Sequence, residues 1–249
     1  LAVGGHLKNT VALALGRQVF VSQHIGDLDS LASRQAFERA IEDLCRLYRV
    51  RPERVVCDLH PEYASTRWAH QSGLPVSAVQ HHIAHAAAGA AENDVGEPYL
   101  AVCWDGTGFG LDRTIWGGEF FWADGGRFTR VAHLRPFGLP GGDAAIRQAW
   151  RPALSLLWEC GLDRSPLGLD PRTAQTVERM LERRINCPRT SSIGRLFDAV
   201  AALSGVASEN RFEGHAAMLL ERAADPAERE AYPLPLANGQ LDWSELIRR

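Results

Sequence analysis

The sequence begins the same way twice. LAV at residues 1–3 leads into the glycine-bearing stretch GGHLKNT (4–10) and then into two more apolar runs, TVALALG (10–16) and QVFVSQHIG (18–26). LAV at residues 100–102 opens LAVCWDGTGFG, and TIWGGEFFWAD (114–124) and RFTRVAHLR (127–135) follow. Three shared letters establish nothing by themselves. The repeated order of strand, glycine-rich turn, strand, strand is the stronger constraint: it commits the chain to two halves, each started by a three-stranded unit. Gly16-Arg17 is the tight link expected between the second and third strands of the first half.

The elements that follow fill in the halves. Residues 29–49 carry Phe37, Ile41, Leu44 and Tyr48 at helical spacing, with Leu47 beside them and Asp29 or Ser30 able to cap. RVVCDL (54–59) reads as a buried strand, HPEYASTRWAHQSG (60–73) as a helix, PVSAVQ (75–80) as a strand, and a third helix runs on through Glu92. The order β-β-β-α-β-α-β-α implies a mixed sheet with helices packed on it and resembles a ribonuclease-H-like subdomain. A duplicated pair of these resembles the two-lobed architecture of actin, hexokinase and the heat-shock chaperone ATPases. The expected fold class is therefore α/β, with a first lobe at residues 1–96 and a second at 97–249. The second lobe reads as incomplete. It carries a helical insertion at about 144–224, with helices at 144–160, 172–184, 191–204 and 213–224.

Bulk properties exclude several classes. A formal net charge of −3 gives no electrostatic reason for a nucleic-acid partner. No apolar run approaches the roughly 20 residues that cross a bilayer, and no signal-peptide pattern is visible. Five scattered cysteines without a C-x-x-C pair suggest reduced, cytoplasmic thiols. Cys57 and Cys103 lie in apolar strands and read as core. The chain starts at Leu1 and ends in LDWSELIRR, the beginning of an amphipathic helix, so it is read as a fragment of something longer.

The densest chemistry lies in VQHHIAHAAA (79–88). In a helix starting near His81 or His82, His81 and His85 are i and i+4 and share a face. Two imidazoles there converge on one metal ion, or simply decorate a surface. No glutamate lies between them, so the H-E-x-x-H chemistry of zinc proteases is absent. Asp105 ends the apolar strand YLAVCW, where an open α/β sheet presents ligands; read alone, its Asp-Gly is a hairpin turn. Two histidines and one aspartate suit iron or zinc with positions left open for substrate. In the actin-like architecture the turn at 4–10 cradles phosphate through backbone N–H groups, with Lys8, Asn9 and Thr10 as further donors. Residues 106–110 are the matching turn, with Gly106 and Gly108 letting the backbone come close to a ligand. DLHPEYAST (58–66) and NCPRTSSIGRLFDAVAAL (186–203) are polar stretches flanking apolar elements. Ser191 or Ser192 caps the helix of the second, with Arg195 and Asp198 as a salt link. His82 projects about 100° from His81 on a helix, which leaves it to capping or phosphate contact, and the alanines are expected to keep that helix tightly packed. No catalytic acid, base or nucleophile is legible.

Together LAVGGHLKNT, VSQHIGDLDS, DLHPEYAST, VQHHIAHAAA, DGTGFG with IWGGEF, LPGGDAA, TSSIGRLFDAVAAL and FEGHAAM resemble the HypF carbamoyltransferase family of nickel–iron hydrogenase maturation. They stand in that family's order from residue 1 to about 220. The resemblance implies a domain that transfers a carbamoyl group from carbamoyl adenylate to the C-terminal cysteine thiol of a HypE-like protein. In that family carbamoyl phosphate and ATP are turned into the adenylate by a separate upstream domain, absent from this sequence. His81 and His85 fit the family's two histidine ligands and Asp105 its first aspartate ligand, for iron or zinc, with magnesium a further candidate beside the nucleotide. The family's late Asp-Gly-Gly motif is absent. The alternatives are a small-molecule O-carbamoyltransferase, which lacks the GRLFDAVAAL and SQHIGDL runs; a sugar-kinase-type phosphotransferase, which has no need of His81 and His85; and a non-catalytic fragment.

Overall fold

Gly16 and Arg17 turn the chain back between β1 (Ala12–Leu15) and β2 (Gln18–Val21), which pair antiparallel from Leu15 with Gln18 to Ala12 with Val21. Gly16 has φ +59°, the left-handed conformation a two-residue hairpin link needs. The computed structural model describes residues 1–249 and divides into two units, Leu1–Ala84 and His85–Arg249.

In the first unit the expected strand at 1–5 is shorter than its sequence suggests. Ala2 bridges antiparallel to Ala12 and parallel to Val56, and Gly4, at φ +65°, then turns the chain away. Residues 1–3 thus join the β1–β2 hairpin to β3 (Val55–Asp58) and its parallel partner β4 (Val76–Val79). Two helices complete this part: α1 (Leu31–Tyr48) and α2 (Ala64–Gln71). Ser30 caps α1 by accepting the Ser33 N–H, and Phe37 and Ile41 are its buried residues. Val3, Val11, Leu28, Val55, Cys57 and Ala69 join them in one core. The helix α3 (His81–Glu92) follows β4 directly, and the division between units falls within it.

The second unit is built on a seven-stranded sheet. Its first strands are β5 (Tyr99–Phe109), β6 (Ile115–Asp124) and β7 (Arg127–Leu134), paired antiparallel in sequence. Here one expectation fails. DGTGFG is not the turn between strands but the continuation of β5, which passes through a register shift between Trp104 and Gly108. The turn lies at 110–114, where one oxygen of Asp112 accepts the Thr114 N–H, the Thr114 hydroxyl and the Trp116 indole N–H. Three donors on one carboxylate oxygen, one backbone and two side-chain, outweigh the local preference of Asp-Gly for a turn.

Beyond β7 come β8 (Phe137–Gly138), α4 (Asp143–Arg147), α5 (Trp150–Cys160), α6 (Pro171–Arg183), β9 (Arg189–Thr190), α7 (Ile193–Leu203) and α8 (His215–Ala223). The hairpin β10 (Leu236–Ala237) and β11 (Gln240–Leu241) lays β11 parallel to β7, and α9 (Ser244–Arg248) ends the chain. The helix expected over 144–160 is broken at Gln148–Ala149 into α4 and α5. Phe137, Leu156, Leu196, Ala199 and Trp243 are central to this core, and the Trp243 indole donates to the Arg135 carbonyl. β5 pairs with β6 alone, and Leu100, Val102 and Trp104 on it, with Trp122 opposite Leu100, are exposed.

Candidate functional site

Gln80 starts α3. Its side-chain oxygen accepts the N–H groups of His82 and Ile83 at 2.8 and 3.1 Å, satisfying two donors that a helix start leaves open. His82 is neither a cap nor a phosphate contact: it is 0% exposed, the one buried residue of α3, and its Nδ1 meets the Gln80 amide nitrogen at 3.1 Å. The alanines are mostly on the exposed side, so they favour the helix by propensity more than by packing.

That helix sets His81 and His85 one turn apart. Their ligand nitrogens and a carboxylate oxygen of Asp105 all lie within 4.8 Å of one another. Two imidazoles and one carboxylate are the donor set of zinc and non-haem iron sites with open positions. Bonds of about 2.0–2.2 Å to a tetrahedral ion place donors roughly 3–4 Å apart, so a small contraction closes the group around an ion. These three residues therefore fit a divalent metal. His81 also has a partner that sequence reading did not find: its Nδ1 lies 2.8 Å from Asp58 Oδ2. Asp58 ends β3, twenty-three residues earlier, and its other oxygen accepts the His60 N–H at 2.8 Å.

Asp105 sits on the β5 irregularity, which α7 holds in place. Ser192 caps α7 by accepting the Arg195 N–H, and its hydroxyl faces the carbonyls of Asp105 and Gly106 at 2.9 and 2.8 Å. The Gly106 N–H donates to Asp105 Oδ1 at 2.6 Å. Glycines allow this approach. A Cβ on Gly117 would lie 2.6 Å from the Asp105 carbonyl oxygen, and one on Gly194 would lie 3.0 Å from the Gly106 Cα. Gly108 is buried and paired with Trp116.

Two buried carboxylates support the same ground. Glu119, fully buried, accepts from the Gly117 and Gly118 N–H groups and the Ser191 hydroxyl, and is ion-paired to Arg130. Asp198 pairs with Arg195 at 2.9 Å and accepts from Asn210. Burial pushes the Asp198 carboxyl up while Arg195 opposes it. Burial likewise lowers the Arg195 guanidinium, against Asp198, Glu213 and Asp105, which favour its charge. The salt link expected from sequence is present. Cys103 is core, its thiol pushed up to about 11 by burial.

The 4–10 turn is built differently. The Asn9 amide nitrogen donates inward to the carbonyls of Val3 and Gly5 at 2.9 and 2.6 Å, so Asn9 fixes the turn from beneath. The Lys8 N–H donates to Asp27 at 2.9 Å while its side chain is exposed; Thr10 is half-buried.

A mixed α/β chain in two units, with a two-histidine, one-aspartate group, matches two family models. "HypF Kae1-like domain" covers residues 1–92, and "Carbamoyltransferase, Kae1-like Domain, second subdomain" covers 101–249. The chain belongs to the HypF carbamoyltransferase family. It is 45% identical to the carbamoyltransferase HypF of Synechocystis sp., covering 100% of this chain and 36% of that protein. It is 47% identical to HypF2 of Cupriavidus necator, covering 90% and 29%. A crystal structure of full-length HypF in a phosphate- and nucleotide-bound form superposes with a TM-score of 0.91 at 39% identity, over 99% of this chain and 40% of that one. T. kodakarensis HypF superposes at 0.89 and 26% identity, over 99% and 35%. The chain thus spans about a third of the length of these relatives. Both units share the mixed α/β, ribonuclease-H-like class of these relatives.

Proposed function

We propose that this chain carries out the carbamoyl-transfer step of a HypF-type enzyme. The carbamoyl group moves from carbamoyl adenylate to the C-terminal cysteine thiol of a HypE-like protein. The observation that carries this reading is the convergence of His81, His85 and Asp105 within 4.8 Å in a chain of this family. Those three residues would hold iron or zinc. When bound, such an ion supplies Lewis-acid polarisation and a template for the phosphate end of the adenylate.

The chain's own residues do the rest. Lys8, Thr10 and the backbone at Gly106 and Gly108 line the two stretches that receive phosphate, with Asn9 holding the first in shape and Ser192 the second. In the transfer, the acceptor sulfur forms a bond to the carbamoyl carbon as the carbon–oxygen bond to phosphate breaks. AMP leaves with that electron pair, and the thiol proton is released. Carbamoyl phosphate and ATP enter through the domain that makes the adenylate; magnesium accompanies the nucleotide there.

The curated relatives' name, carbamoyltransferase HypF, supports the reaction class. No helix is long and apolar enough to cross a membrane. The five scattered cysteines suit a reducing compartment, which supports the cytoplasm as the location, and a net charge of −3 favours a protein and small-molecule partner over nucleic acid. The first test is metal analysis. The purified protein should hold close to one equivalent of iron or zinc, and His81→Ala/His85→Ala should lose both the metal and carbamoyl transfer to a cysteine-terminated acceptor. A double variant that kept both would overturn the site.

A further inference from the structure

We infer that Asp58 is the positioning residue of the metal centre: it fixes the tautomer and ring orientation of His81, so that Nε2 is the nitrogen offered to the ion. The inference rests on the metal reading above and adds a residue to it. Asp58 is nearly buried, 6% exposed at its side chain, and its two oxygens have separate tasks. Oδ1 accepts the His60 backbone N–H, and Oδ2 lies 2.8 Å from His81 Nδ1. The Thr66 hydroxyl donates to the Asp58 carbonyl at 3.2 Å and steadies the strand end itself. A carboxylate only accepts. His81 Nδ1 therefore carries its proton toward Asp58, and Nε2 keeps its lone pair. A histidine ligand whose remote nitrogen donates to a carboxylate is held in one orientation and is the more basic for it.

Asparagine is the discriminating substitution. Asp58 receives two donors, and asparagine offers a single oxygen. The His60 N–H is fixed by the backbone and claims that oxygen. The new NH2 then faces His81 Nδ1, which must accept, and the ring proton moves to Nε2, where it blocks the metal. Asp58→Asn keeps the size and shape of the side chain and reverses the tautomer.

The test is a zinc titration against a chelator, together with long-range proton–nitrogen NMR of the imidazoles in metal-free protein. Wild type should show His81 as the Nδ1–H tautomer. Asp58→Asn should show Nε2–H and a zinc dissociation constant raised roughly ten- to a hundredfold. Wild-type His81 as Nε2–H overturns the inference even if no variant folds, and so does Asp58→Asn with unchanged tautomer and zinc affinity. His85→Ala separates the two layers. If it loses zinc while Asp58→Asn does not, only the role of Asp58 falls; if His85→Ala binds zinc like wild type, the metal centre itself falls.

Discussion

The two LAV segments have the same first letters and opposite surroundings. At residues 1–3 the segment is short and flanked on both sides, antiparallel to Ala12 and parallel to Val56. At residues 100–102 it is the start of an eleven-residue strand with one partner, β6. The loops after them differ in the same way. After the first, Gly4 turns the chain sharply and Asn9 ties the turn from within. After the second, the chain stays extended through an irregularity that is tied from outside, by the Ser192 hydroxyl at the start of α7. The two halves share their opening letters, but the backbone that follows is fixed from within in one and from outside in the other.

Substitutions can break that comparison. The largest effect should come from the glycines, each of which has a backbone oxygen where a Cβ would go: 2.5 Å for Gly4 to Thr10 and 2.6 Å for Gly117 to Asp105. Gly4 also sits at φ +65°. Gly4→Ala should cost about 3–4 kcal/mol, from overpacking and left-handed strain together, and Gly117→Ala about 2 kcal/mol from overpacking alone. Urea melts of the two variants measure this, and equal costs would deny the special strain at Gly4. Next comes Asn9→Ala, which strips the buried Val3 carbonyl of its donor, leaves the Gly5 carbonyl to the Ser65 hydroxyl alone, and should cost about 2 kcal/mol. Ser192→Ala should cost least, about 1 kcal/mol, the usual value of a helix cap. Its amide exchange should quicken at Gly106 and Arg195 and stay unchanged at residues 4–10. Faster exchange in both loops would mean that they are not independent.

Much of this was legible because it was local. Ser30, Phe37 and Ile41 declare α1 through a cap and a helical period, and Gly16-Arg17 declares the hairpin. His81 and His85 were found because a helix turns their sequence spacing into spatial proximity. What sequence hid depends on partners far along the chain. DGTGFG looked like a turn because Asp-Gly favours one; the deciding contacts come from Asp112 and Ser192. Sequence spacing leaves His82 to capping or phosphate contact, and nothing local announces that it is fully buried. Asp58 gave no sign of reaching His81, since strand and helix ends meet only after the intervening α2 has folded back.

The sheet that presents Asp105 also sets how the molecule behaves in a tube. β5 has one hydrogen-bonded neighbour, and Leu100, Val102, Trp104 and Trp122 show their apolar surface to water. A long strand with an open edge is a template for another copy of itself, and an apolar patch beside it adds adhesion. Concentrated solutions of the chain alone should therefore be turbid before they are unfolded, and colloidal behaviour rather than thermal stability will set the working concentration.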